Sequence, residues 1–186
     1  MAMDSAGATR LQSGLVGESR TFHDVLVKIE AFSACDAPVL IEGETGTGKE
    51  LVARALHYLS RRRSGPFVPI NCAALPEQLV VSELFGHKRG AFTGAEIRQA
   101  GLVEQANRGT IFFDEVDSLP LPAQAVLLRF LQDQEYRPLG GGAPQTGNVR
   151  VLAASNASMR TQVRERRFRE DLFYRLNVLA CICRPA

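Results

Sequence analysis

Short apolar runs alternate along this chain with longer stretches whose apolar positions recur every three or four residues. The runs at Val39 to Glu42, Phe67 to Ile70, Thr110 to Phe113, Val149 to Ala154 and Val178 to Ile182 have strand length and little internal alternation, as expected of strands covered on both faces. Phe22, Val25, Leu26 and Ile29 fall at helical spacing, as do Val126, Leu127, Phe130 and Leu131. Strand and helix in alternation predict βαβ units and a five-stranded parallel sheet flanked by helices, a Rossmann-like α/β fold. The small polar residues Met1 to Ser13 carry no period and predict a mobile tail, with one domain over 14–186. Gly140-Gly141-Gly142-Ala143-Pro144 reads as a loop.

Composition adds exclusions. The length of 186 residues fits one domain, and 45% hydrophobic with 23% charged residues is the range of an ordinary globular protein. A net charge of +2 gives no general affinity for nucleic acid. No run approaches the ~18 apolar residues of a membrane helix, and Met1 to Arg10 lacks a signal-peptide core, so a cytoplasmic location is expected. Cys35, Cys72, Cys181 and Cys183 have neither CxxC nor zinc-ligand spacing and read as buried small side chains, with Cys181 and Cys183 on one face of a strand. Arg61-Arg62-Arg63 follows a predicted helix, where cations offset the negative end of the helix dipole.

The strongest chemical pattern is the strand Val39 to Glu42 running into Gly43-Glu44-Thr45-Gly46-Thr47-Gly48-Lys49 and then a helix from Glu50 to Leu59. Glycines let backbone N–H groups close on an anion, the helix N-terminus adds partial positive charge, and Lys49 meets the β- and γ-phosphates of a nucleotide. Glu50 stands where many such loops carry a Mg²⁺-binding Ser or Thr, so the metal needs another ligand. The apolar strand from Thr110 ends in Asp114 and Glu115, suited to holding Mg²⁺ and to polarising an attacking water as general base, respectively.

Glu83-Leu84-Phe85-Gly86-His87-Lys88-Arg89-Gly90-Ala91-Phe92-Thr93-Gly94-Ala95 resembles the GAFTGA segment of the sigma-54-dependent transcription activators, bacterial enhancer-binding proteins of the AAA+ ATPase superfamily. The phosphate loop with Glu50, the segment Asn71 to Leu75, Ala154-Ser155-Asn156 and the block Phe168 to Val178 are similar to that family's blocks, in its order, so the resemblance spans Leu15 to Val178. It implies an ATPase core carrying Walker A and Walker B elements, with ATP and Mg²⁺ as cofactors. Self-association into a hexameric ring and remodelling of the closed complex of RNA polymerase with its sigma-54 subunit are implied with it.

By the same resemblance, Asn71 corresponds to the asparagine that withholds or releases the catalytic glutamate, and Asn156 to the sensor beside the γ-phosphate. Arg169 and Arg175 correspond to arginine fingers serving a neighbouring subunit. The loop Gly90, Ala91, Phe92, Thr93, Gly94 and Ala95 would contact sigma-54, although its composition alone fits equally well a tight turn with Phe92 in the core. The family's helical lid, DNA-binding domain and sensing domain have no counterpart in these residues, and Ala180 to Pro185 departs from its pattern. A mainly monomeric chain with weak ATP binding and poor turnover is therefore expected. The alternative is a catalytically silent nucleotide-binding or interaction module.

Overall fold

A computed structural model describes residues 20–183. The first helix, α1 (Arg20–Ser33), leads into β1 (Val39–Gly43), and α2 (Lys49–Tyr58) follows the phosphate loop. Then come β2 (Phe67–Asn71), α3 (Val80–Phe85), α4 (Leu102–Gln105), β3 (Thr110–Asp114) and α5 (Leu121–Asp133). A small hairpin of β4 (Glu135–Tyr136) and β5 (Gln145–Thr146) precedes β6 (Arg150–Ser155), α6 (Met159–Arg164), α7 (Glu170–Leu176) and β7 (Leu179–Cys183). The five longer strands form one parallel sheet in the order β2-β3-β6-β1-β7, so the predicted strands are all present with ends shifted by about a residue.

Each central strand divides its apolar residues between two cores. Val39 and Ile41 of β1, Phe112 of β3 and Leu152 and Ala154 of β6 pack against α1 and α2 through Leu26, Ile29, Val52 and Leu56. Leu40, Ile111, Phe113, Val151 and Ala153 enter the opposite core with Leu127 and Phe130 of α5 and Leu172 and Leu176 of α7. Continuous apolar strands are thus period-two ladders buried on both sides. Each fully covered Leu, Ile or Phe is worth about 1.5–3 kcal/mol relative to exposure.

Two readings need correction. Cys35 is exposed, because it follows the end of α1 in the turn toward Asp36; Cys72 is buried as expected. Arg62 does not serve the end of α2. Its guanidinium crosses to Asp36 (3.0 and 3.1 Å), to Asn148 Oδ1 (2.6 Å) and to the Asn148 carbonyl (3.0 Å), tying together loops before β1 and before β6. That guanidinium holds the Asp36 carboxyl below its ordinary pKa. The tail 1–13 and the side chains of Cys181 and Cys183 lie outside the described residues.

Candidate functional site

The carboxyl ends of the parallel strands bring the singled-out residues to one edge of the sheet. Glu42 lies opposite Ser155 and Asn71 opposite Asp114, so the residues after β1, β2, β3 and β6 meet where open α/β sheets bind ligands. Gly46 (φ 83°) and Gly48 (φ 79°) are left-handed, a backbone state that an L side chain strains to adopt. A Cβ on Gly46 would meet nothing within 4 Å, so the dihedral, not crowding, calls for glycine, and the space over the loop is open. Among the described residues the N–H groups of Gly46 and Gly48 have no acceptor. Thr47 instead turns inward, its N–H and hydroxyl both donating to the Glu44 carbonyl (3.3 and 2.8 Å), while Thr45 stays exposed. Lys49 is 7% exposed and its Nζ donates to the carbonyls of Gly43 and Glu44, both at 2.8 Å. Glu50 turns along α2 to accept two bonds from Arg54 (2.8 and 3.0 Å).

The acids follow at the end of β3. Asp114 is half-buried and its Oδ1 accepts the Glu115 N–H (3.0 Å). Glu115 is left-handed (φ 52°, ψ 47°), a conformation costing a non-glycine residue about 1–3 kcal/mol and concentrated at functional sites. Asn156 Nδ2 donates to Glu115 Oε1 at 3.1 Å, so these two predicted site residues meet directly. Asn71 stands apart from that contact: its Oδ1 accepts the N–H groups of Ala73 (2.9 Å) and Ala74 (3.2 Å), capping the turn Cys72–Ala74. Beneath them lies Cys72, whose thiol pKa is pushed up by burial first and by Asp114, Asp117 and Glu115 next, so it stays protonated. The sequence marks this thiol only as a buried small side chain, because its spacing matches no ligand pattern.

Neither of the two arginines assigned as fingers bonds to the phosphate loop. Arg169 is exposed at the start of α7, where both carboxylate oxygens of Asp171 accept from it (3.0 and 2.7 Å). Those bonds raise the arginine pKa and lower that of the aspartate. Arg175 donates to the Leu131 carbonyl (3.1 and 3.3 Å) and lines a cavity with Pro38, Val149 and Val151, at the amino ends of β1 and β6. A strand length of about 15 Å separates that edge from the loop.

The segment Gly90 to Ala95 is a compact excursion. Gly90 N–H donates to the Ala95 carbonyl (2.8 Å) and Ala95 N–H to the Phe92 carbonyl (3.0 Å), with Gly90 and Gly94 left-handed. At its stem the backbones of Gly86 and Gly101 pass so closely that a Cβ on Gly101 would come within 2.4 Å of Gly86 N. Phe92 takes neither extreme expected of it: it is 39% exposed, with its ring edge-on to His87 at 5.0 Å. His87 is buried, its Nδ1 2.8 Å from Ser82 Oγ; Thr93 is exposed and Ala95 buried. No helix among the described residues is long and apolar enough to cross a membrane.

Comparison with known proteins supplies the family. The regulatory protein AtoC of Escherichia coli K12 is 50% identical over 171 residues, covering 92% of this chain and 37% of AtoC. The crystal structure of NtrX from Brucella abortus in complex with ATP superposes with a TM-score of 0.84 at 35% identity, covering 92% of this chain and 37% of NtrX. The P-loop NTPase domain of an E. coli sigma-54 transport activator shares the fold, with a TM-score of 0.62 at 22% identity over 91% of this chain and 99% of that domain. The chain thus spans well under half the length of AtoC and NtrX. Residues 15–181 match the model of the Sigma-54 interaction domain, and the chain belongs to that family of sigma-54 activator P-loop cores.

Proposed function

We propose that residues 14–186 form a cytoplasmic ATPase core that hydrolyses the β–γ bond of ATP with Mg²⁺ and, assembled in a ring, uses the cycle to remodel the closed complex of sigma-54 RNA polymerase. One observation carries the reading: the free N–H groups of Gly46 and Gly48 and the buried Lys49 ammonium stand at the same sheet edge as a Glu115 carboxylate already held by Asn156.

These donors fit a triphosphate. A left-handed glycine pair with unspent N–H groups is a concave anion cradle, and Lys49 can exchange two carbonyls for phosphate oxygens by a small rotation. Asp114 fits Mg²⁺: it is half-buried, only its Oδ1 is engaged, and no group of three His, Cys, Asp or Glu converges among the described residues. Asp114 would hold the magnesium ion, which would supply positive charge against the phosphate oxygens. Glu115 accepts the proton of the attacking water, with Asn156 fixing its carboxylate. Arg169 and Arg175 act on a neighbour's nucleotide. Phe92 and Thr93 present a ring and a hydroxyl to sigma-54.

The test pairs two substitutions. Lys49→Ala should weaken ATP binding about tenfold or more in a fluorescent-nucleotide titration, while far-ultraviolet circular dichroism stays unchanged. Glu115→Ala should bind ATP as the wild type does yet release phosphate at least about 100-fold more slowly. Equal loss of binding in both would refute the separate roles.

A further inference from the structure

Glu42 has no part in the reading above. It is half-buried on β1 immediately before Gly43, whose carbonyl receives Lys49 Nζ, and it lies opposite Ser155 of β6. Its Oε1 accepts the Met159 N–H at 2.9 Å. Met159 opens α6, and Ser158 at the N-cap gives that helix no side-chain bond, so an acceptor from another strand takes up one of the N–H groups every helix start leaves unmet. Ser155 closes the other end of the same span: its hydroxyl accepts the Ala157 N–H (3.1 Å) and donates to the Ala157 carbonyl (3.0 Å). Asn156 lies inside this doubly tied turn and donates to Glu115.

We propose that Glu42 is a positioning residue: by gripping Met159 N–H it fixes the turn that aims Asn156, and through Asn156 the carboxylate of Glu115. The strand that carries the phosphate loop is thereby joined to the base by two hydrogen bonds and one short turn. The inference rests on the reading of Glu115 as the base. A carboxylate that only stabilised α6 would have no bearing on Glu115, whereas one that sets Asn156 affects the chemical step and leaves phosphate binding alone, because small displacements of a reacting group cost up to about 100-fold in rate.

The test compares the wild type with Glu42→Ala, Glu42→Gln, which keeps an acceptor of the same reach, and Glu42→Asp, which keeps the charge one methylene shorter. Without nucleotide, amide exchange at Met159 should quicken about tenfold or more in Glu42→Ala and Glu42→Asp and stay near wild type in Glu42→Gln. The Asn156 side-chain amide resonance should shift in the same two variants, with the amides of Glu44 to Gly48 unchanged. With ATP and Mg²⁺, single-turnover hydrolysis should fall about tenfold in those two variants and recover in Glu42→Gln, at an ATP Kd within about twofold of wild type. Wild-type protection at Met159 in Glu42→Ala, an unmoved Asn156 amide, or unchanged hydrolysis would each overturn the proposal. Should Glu42→Ala not fold, the contrast between Glu42→Asp and Glu42→Gln decides alone. Wild-type protein that binds no ATP would instead refute the functional reading, since the amide measurements need no nucleotide.

Discussion

Among the described residues Arg150 is the largest side chain withdrawn from solvent, 1% exposed, and it sits at the first position of β6. Its guanidinium donates to the carbonyls of Phe32 (2.6 Å) and Leu56 (3.3 Å), joining the ends of α1 and α2 to the sheet. Burial lowers its pKa, and its Nε finds no acceptor, so the residue is held at a cost that the two carbonyl bonds offset. Arg150→Ala should destabilise the fold by about 2–4 kcal/mol in urea denaturation, from the cavity and the two stranded carbonyls together. A loss below about 0.5 kcal/mol would mean that water replaces the guanidinium freely. Little in the sequence marks Arg150, the second residue of the run Val149 to Ala154, since an arginine near a strand end is ordinarily solvated. Lys49 was legible as a candidate because a strand, a glycine-rich turn and a helix follow one another at fixed spacing, and Asp114 and Glu115 because two acids end an apolar strand. The Asn156–Glu115 and Glu42–Met159 bonds were not, because they join strands more than forty residues apart.

At the scale of elements, the interface of α2 with β3 contains a titratable group. His57 is 1% exposed on α2, with Nδ1 2.9 Å from Thr110 Oγ1 of β3. Burial lowers its pKa, with the charge of Arg150 adding to the effect and a backbone bond to Gly65 opposing it. The folded protein therefore takes up this proton at lower pH than the unfolded chain does. The stability that His57 contributes is complete above about pH 6.5 and is lost as pH falls from there toward the folded-state pKa. Tm should drop between about pH 7.5 and 5.5, and His57→Gln should flatten that slope; an identical slope in the variant would remove His57 as its cause. The exposed loop makes a second expectation. Thr93 bonds to no phosphate-binding residue, so Thr93→Ala should spare ATP binding yet abolish nucleotide-dependent capture of sigma-54 in a pull-down, and undiminished capture would return the loop to a structural role. Period and length made the five long strands and α1, α2 and α5 readable. The hairpin β4–β5 and the short helices α3, α4 and α6 escaped, since two to six residues complete too little of any period to be distinguished from loop.

For the molecule as a whole, the placement of Arg175 decides how catalysis depends on association. It lies at the sheet edge opposite its own phosphate loop, so under the proposed function it serves a nucleotide held by another copy. Phosphate release should then rise faster than linearly with protein concentration, by the stabilisation an arginine finger gives a transferring phosphoryl group, on the order of 10³ to 10⁵ in rate when placed. Strictly linear dependence from nanomolar to micromolar protein would put all the machinery in a single chain.

The strand order has a further consequence, in time. β1 is central in space, yet both of its neighbours come late in sequence: Val39 pairs with Leu152 on one side and with Leu179 on the other. Until β6 and β7 have been synthesised, β1 has no strand to pair with: α1 and α2 can cover Val39 and Ile41, Leu40 faces a core that still lacks β6 and α7, and no hairpin can shield them locally. Such non-local pairing places this chain among slow folders, milliseconds to seconds, and prolongs the interval in which an apolar strand is open to the wrong partner. A ribosome-bound chain stalled before Arg150 should bind a chaperone through 39–41, and the same chain released after Cys183 should not.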